Sequence, residues 1–263
     1  MAMTTSQRAR MSKTIQIVIF VIAVVAILFA VDWEKARYAF FSFEKLGPMF
    51  PDMILIGLRN TVFYTVISFA FGLVLGLLLA LMKMASFAPY RWFATAFIEF
   101  FRGIPAILVL LAFGFGLPQA FGTNWPQPVN IMFALGLVSS AYIAETLRAG
   151  LQAVPKGQTE AARSLGMPAW RAMVTIVIPQ AFKIVLPPMT NEIILLTKDT
   201  SLAFILGAAF TQYEMTKFGR DGISSLDAGI TPLVVAGLFY LVITIPLSLI
   251  ARKFESRSAR TKR

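Results

Sequence analysis

Apolar residues fall along the chain in long uninterrupted runs, not in the short alternations of a soluble core. Residues 14–31 carry no charge and exceed the ~7–15-residue core of a secretion signal. No A-x-A-like cleavage pattern closes them, so they read as a first membrane helix behind a basic tail. Residues 32–53 nearly balance acids against bases and are rich in aromatics, which suits an outer segment at the membrane–water boundary. Residues 60–82 form a second helix. Thr61, Thr65, Ser68, Gly72, Gly76 and Ala80 recur at spacings of three and four, giving it one small-residue face. Gly72 and Gly76 make a G-x-x-x-G pair, a pattern that admits another helix closely. Residues 91–101 read as an amphipathic helix lying in the interface.

From Arg102 no charge appears until Glu145, a run too long for one span of ~20 residues. Breakers at Gly116-Leu117-Pro118 and over residues 122–128 divide it into helices at about 103–121 and 129–147. A polar segment follows. The fifth span is expected to be broken at Pro187-Pro188 and to run to about residue 210. Residues 212–227 read as a mixed-charge outer loop, and residues 230–251 as the sixth helix. The last twelve residues hold six bases and one acid, placing both chain ends in the cytoplasm. The fold class is therefore an all-α polytopic membrane protein of about six transmembrane helices.

Composition supports this class. The chain has 263 residues, 57% hydrophobic and 14% charged, where a soluble domain holds about 25% charged residues. Its net charge of +11 fits basic cytoplasmic loops better than a nucleic-acid partner. Histidine and cysteine are both absent. That excludes Ser–His and Cys–His catalysis and thiolate metal sites, and no carboxylate-rich metal motif is present, so a membrane enzyme is a weak reading.

The longest polar stretch, residues 155–188, is the most informative. Thr159 is a plausible N-cap for a short helix through Glu160, Ala161, Ala162 and Arg163. Glu160 would then lie in its first turn, favoured by the helix dipole. Gly166 fits the position after the helix end, where φ is positive, and Pro168 blocks continuation. So short and polar a helix is not stable alone, which suggests docking.

This segment resembles the EAA loop of the membrane subunits of ATP-binding-cassette importers. Glu160-Ala161-Ala162 is followed by Gly166, Ile176 and Pro179 at the family spacing, with Ile178 where leucine is usual. The flanks FFRGIPAILVL, GLRNTVFYTV and LPPMTNEIILLTKDTSL are similar to the polar amino-acid permeases of this group, such as histidine and glutamine permeases. The match covers roughly residues 56–252, with a departure at Leu110, where relatives often carry glutamine. The resemblance implies a five-helix permease core at residues 54–252, with a coupling loop at 152–171. Residues 1–53 precede that core as an added helix and outer loop, and residues 253–263 follow as a basic cytoplasmic tail. It also implies a second permease subunit (the same chain or a related one), a cytoplasmic ATPase that docks on Glu160–Gly166, and an extracytoplasmic amino-acid-binding protein. ATP and magnesium would bind in the ATPase; this chain has no G-x-x-x-x-G-K-[ST] loop and is expected to hold no cofactor or metal.

Charges at membrane depth are costly, about 2.5–3.5 kcal/mol each on insertion scales, and often functional. Lys198, Thr200 and Ser201 could meet the carboxylate of an amino acid, and Asn191 or Glu192 its ammonium. Glu192, Lys198 and Asp199 could instead pair among themselves or with Arg102. Arg102, Glu145 and Asp199 read as structural charges. An ion-gradient-driven carrier using Glu192 or Asp199 is the rival function.

Overall fold

The computed structural model describes residues 5–122 and 125–260, and side chains within residues 11–256. Parts of the basic tails and the breaker residues Thr123 and Asn124 therefore lie outside the described residues. Ten helices organise the described residues: α1 Thr5–Ala30, α2 Trp33–Phe40, α3 Phe50–Met84, α4 Ala88–Gly103 and α5 Ala106–Phe121. Then come α6 Gln127–Gln152, α7 Lys156–Ser164, α8 Ala169–Ile205, α9 Met215–Ser225 and α10 Thr231–Arg260. Five of them, α1, α3, α6, α8 and α10, are long and apolar enough to cross a membrane; the bent pair α4–α5 makes a sixth span if taken as one.

The centre of the bundle is the pair α3–α6. The small face expected on α3 is buried along its length. A Cβ on Gly72 would stand 2.2 Å from Ser139 Oγ and 3.1 Å from the Gly136 carbonyl, and one on Gly76 would stand 2.9 Å from the Ser140 carbonyl. The two backbones approach this closely because both helices present glycine and serine at the seam. The opposite side of α3, with Val66, Val74, Leu78 and Leu81, is exposed, as a lipid-facing surface must be. From residue 14 on α1 is uncharged, and none of Met11–Ala30 is buried, the pattern of a lipid-surrounded helix.

Proline sets the bends. Ile104 is extended ahead of Pro105, and α4 meets α5 at 102°. α4 buries Ala94 and Ile98 and exposes Trp92, Phe93 and Phe100, consistent with an interfacial helix. Two wider π-turns, Ala112–Gly116 and Met173–Val177, sit just ahead of Pro118 and Pro179. The wide turn eases the clash of each ring with the preceding turn.

Several elements differ from the sequence expectation: residues 32–53 contain α2, and α3 begins at Phe50, ten residues before the expected start of the second helix. Pro187 and Pro188 do not break the fifth span: α8 runs through them, with Pro187 buried against its neighbours and Thr190 Oγ1 donating to the Leu186 carbonyl at 2.9 Å. Packing holds the helix where propensity alone would end it. Residues 212–227 are not a loop but contain α9. The side chain of Glu214 starts α9 by accepting from the Thr216 and Lys217 amides, and its apolar face (Met215, Phe218) packs on Met53, Val235 and Ala236.

Segment 33–46 is fastened to the same end of the bundle. Tyr38 donates to Asp227 at 2.6 Å, Lys45 pairs with Asp227 at 3.1 Å, and the Ser42 amide donates to Thr231 Oγ1 at 3.0 Å. Tyr38 and then Lys45 hold the Asp227 carboxyl below its ordinary value.

Candidate functional site: a capped surface helix and a charged cavity

α7 begins three residues before the expected cap. Pro155 is extended and its carbonyl accepts from the Gln158 amide at 3.0 Å, so the helix is already under way at Thr159. Thr159 is therefore not the N-cap, and Glu160 stands in the second turn rather than the first. The far end is as expected. Gly166 has φ +85°, its amide donates to the Arg163 carbonyl at 3.0 Å, and the Met167 amide donates to the Ala162 carbonyl at 3.1 Å. This pair of bonds is the Schellman motif, which requires a left-handed residue at that position.

α7 buries only Ala162. Glu160, Ala161 and Arg163 are exposed. Beside them stand two large apolar side chains that the sequence reading did not single out, Leu165 at 88% exposed and Trp170 at 69%. The signal for them was available: both interrupt an otherwise polar stretch next to Arg163 and Arg171.

The second feature is a cavity of about 490 Å³ between the α4–α5 bend, α6 and α8. Arg102, Pro105, Ser139, Tyr142, Glu192 and Asp199 supply its chemistry. The Arg102 guanidinium lies 5.6 Å from the centre of the Tyr142 ring. Glu192 and Asp199 are seven residues apart on α8, two turns along one face.

Arg102 and Asp199, read from sequence as structural charges, thus share this cavity with Glu192. The ion pairing weighed for Glu192, Lys198, Asp199 and Arg102 is not made: among the described residues no salt bridge within 4.0 Å includes any of them. Asn191 and Lys198 are exposed and lie outside the cavity lining. Ser201 is half-buried, and Thr200 is fully buried with its hydroxyl donating to the Thr197 carbonyl at 2.7 Å. Glu145 is held elsewhere, by Lys83 and by Arg148 at 2.6 Å. Leu110 is buried in the apolar core with Tyr64, Leu135 and Leu196; it does not line the cavity itself, although Leu135 and Leu196 do.

Membrane-length helices, a cavity lined by Arg102, Glu192 and Asp199 and an exposed capped helix are features that a membrane transport subunit would need. Comparison with known proteins agrees. The family described as "Binding-protein-dependent transport system inner membrane component" matches residues 72–260. The arginine transport system permease protein of Bacillus subtilis is 38% identical over 216 residues, covering 82% of this chain and 96% of that protein. The glutamate/aspartate import permease protein of Escherichia coli O157:H7 is 35% identical over 228 residues, covering 83% and 99%. A solved structure described as "Crystal structure of an amino acid ABC transporter with histidines" has a TM-score of 0.74 at 36% identity, covering 82% of this chain and 98% of that one. The chain belongs to the binding-protein-dependent transport system inner membrane component family. It is a multi-pass membrane permease of the ATP-binding-cassette importers, and these relatives are amino-acid permeases.

Proposed function

We propose that this chain is the membrane subunit of an ATP-driven amino-acid importer, and that α7 couples it to a cytoplasmic ATPase. The observation that carries the reading is α7 itself. It is a short, charged helix with one buried side chain, ended by a fixed left-handed glycine and flanked by exposed Leu165 and Trp170. A helix of nine residues gains little stability alone, and exposed Leu and Trp beside Arg offer an apolar centre with a basic rim to a partner protein.

In this reading α7 and both chain ends face the cytoplasm, while α2 and α9 face outward toward a soluble amino-acid-binding protein. A second permease subunit completes the path, and ATP and magnesium bind in the ATPase. Residues 54–252 form the transport unit and residues 1–53 an addition to it. Closure of the ATPase displaces α7. Gly166 and Pro168 connect α7 directly to α8, and α8 carries Glu192 and Asp199 along the cavity. Work received at one end of α8 therefore reaches the charged cavity through a single helix. There Arg102 meets the carboxylate of the amino acid, and Glu192 or Asp199 its ammonium.

The chain lacks cysteine, so one thiol introduced by Ala161→Cys can be crosslinked without background. It is expected to crosslink to the copurifying ATPase, with ATP changing the yield, whereas Trp33→Cys gives no such product. Equal crosslinking at both positions would contradict the docking role.

A further inference from the structure

The chain has no histidine, yet it buries one carboxylic acid at the α9 end of the bundle that neither coupling nor the cavity uses. Glu214 is 1% exposed. Its Oε2 accepts from the Thr216 amide at 2.6 Å and from the Tyr240 hydroxyl of α10 at 2.9 Å, and its Oε1 accepts from the Lys217 amide at 2.7 Å. Among the described residues no cation pairs with it, and the Lys217 ammonium is taken by Asp221 at 2.9 Å. Tyr240 faces it from α10, and Tyr64 senses it from α3. The other two segments packed on α9, Met53–Leu58 and Thr200–Ile205, contain no titratable residue.

The surroundings make this joint a fastening point. The Asn60 amide group donates to the Thr211 and Tyr213 carbonyls, both at 2.9 Å, and the Tyr64 hydroxyl to the Gln212 carbonyl at 2.8 Å. The Met215 amide donates to Thr61 Oγ1 at 3.2 Å. Tyr240 also stands beside the hydroxyl of Thr200, the residue after the cavity-lining Asp199. α9 is thus fastened both to the start of α3 and to the end of the cavity-lining part of α8.

We propose that Glu214 is the positioning residue of an outer latch, seating α9 against α3, α8 and α10 as an uncharged acid and releasing it when the carboxyl ionises. The inference rests on the outward orientation of α9 proposed above. The seated form accommodates the acid at lower cost than the anion. As an acid, Oε2–H donates to the Tyr240 oxygen, and the Tyr240 proton turns to Thr216 Oγ1, 3.3 Å away. As an anion, the carboxylate keeps its amide donors but gains no compensating cation, and a buried unpaired charge is costly.

Burial accordingly raises the Glu214 pKa to about 7, against the opposing pull of its Thr216, Tyr240 and Lys217 hydrogen bonds. The seated form holds a proton that the released, hydrated form gives up. Seating is therefore strongest below the ordinary carboxyl value, weakens as pH rises toward about 7, and changes little above it.

The test uses the complete importer in sealed vesicles. Met215→Cys places this chain's only thiol beneath α9, and in a second variant Ser224→Cys places it on the exposed face as a reactivity reference, with labelling read on this chain's own band. An impermeant maleimide is added from outside between about pH 5 and about pH 8. The 215-to-224 rate ratio is expected to rise several-fold up to about pH 7 and then level off. Adding the isosteric, neutral Glu214→Gln should hold that ratio low and flat, and Glu214→Ala should raise it at every pH. The same pH rise with Glu214→Gln as with glutamate would overturn the latch. Labelling at position 224 only from the opposite side would overturn the orientation on which the latch depends, a failure separate from loss of pH dependence.

Discussion

Gly166 is the residue whose chemistry the coupling proposal depends on most. At φ +85° a side chain is disfavoured by its own backbone, while a Cβ there would meet nothing within 4 Å. The penalty of a β-branched residue is therefore conformational, about 1–2 kcal/mol or more, with no packing clash. Gly166→Val should leave the protein inserted at normal abundance and cut ATP-dependent uptake about tenfold or more, while Gly166→Asn, which tolerates a left-handed backbone, should retain more activity. Uptake rates normalised to membrane content check this; equal loss in both variants would contradict it. Gly166 was legible because glycine followed by Pro168 is a local stop signal. Thr159 misled because its capping signal was outcompeted by Pro155, whose carbonyl nucleates the helix earlier. Glu214 was unreadable as a cap for the same reason in reverse: a glutamate is an uncommon cap, and only burial against α10 selects it.

At the scale of elements, the seam between α3 and α6 fixes the bundle. The spacing of Thr61, Thr65, Ser68, Gly72, Gly76 and Ala80 revealed the seam directly, because period and residue size are both local properties of the sequence. Gly72→Leu would drive a side chain into Ser139 and the Gly136 carbonyl. It is expected to lower the thermal midpoint of the detergent-solubilised protein by several degrees, from an overpacking cost of about 1–3 kcal/mol or more. Gly103→Leu, at a site with nothing within 4 Å, should leave the midpoint unchanged; equal shifts would refute the seam. α8 shows the limit of local reading. Pro187-Pro188 signals a break, but the surrounding helices retain one continuous span. α9 was hidden for a related reason: its charges imply a loop, and its buried face appears only once α10 and the start of α3 are in place.

The whole molecule joins two features that no single stretch of sequence connects. The all-helical membrane class was legible from apolar run lengths, and the exposed helix from its polarity and stop signal. The cavity was not, because Arg102 enters it only through the 102° bend after α4, and Glu192 and Asp199 through the register of α8. Between the exposed helix and that cavity runs α8, and in the proposed mechanism ATP-driven displacement of α7 reaches the amino-acid path along it. The most direct measurement is uptake of a panel of labelled amino acids by proteoliposomes holding this chain with its copurifying ATPase and binding protein. Uptake is expected only with ATP and magnesium on the ATPase side, and is abolished by replacing both Glu160 and Gly166 with bulky residues while the complex remains inserted. Uptake by the purified chain alone, driven by an ion gradient without ATP, would contradict this mechanism.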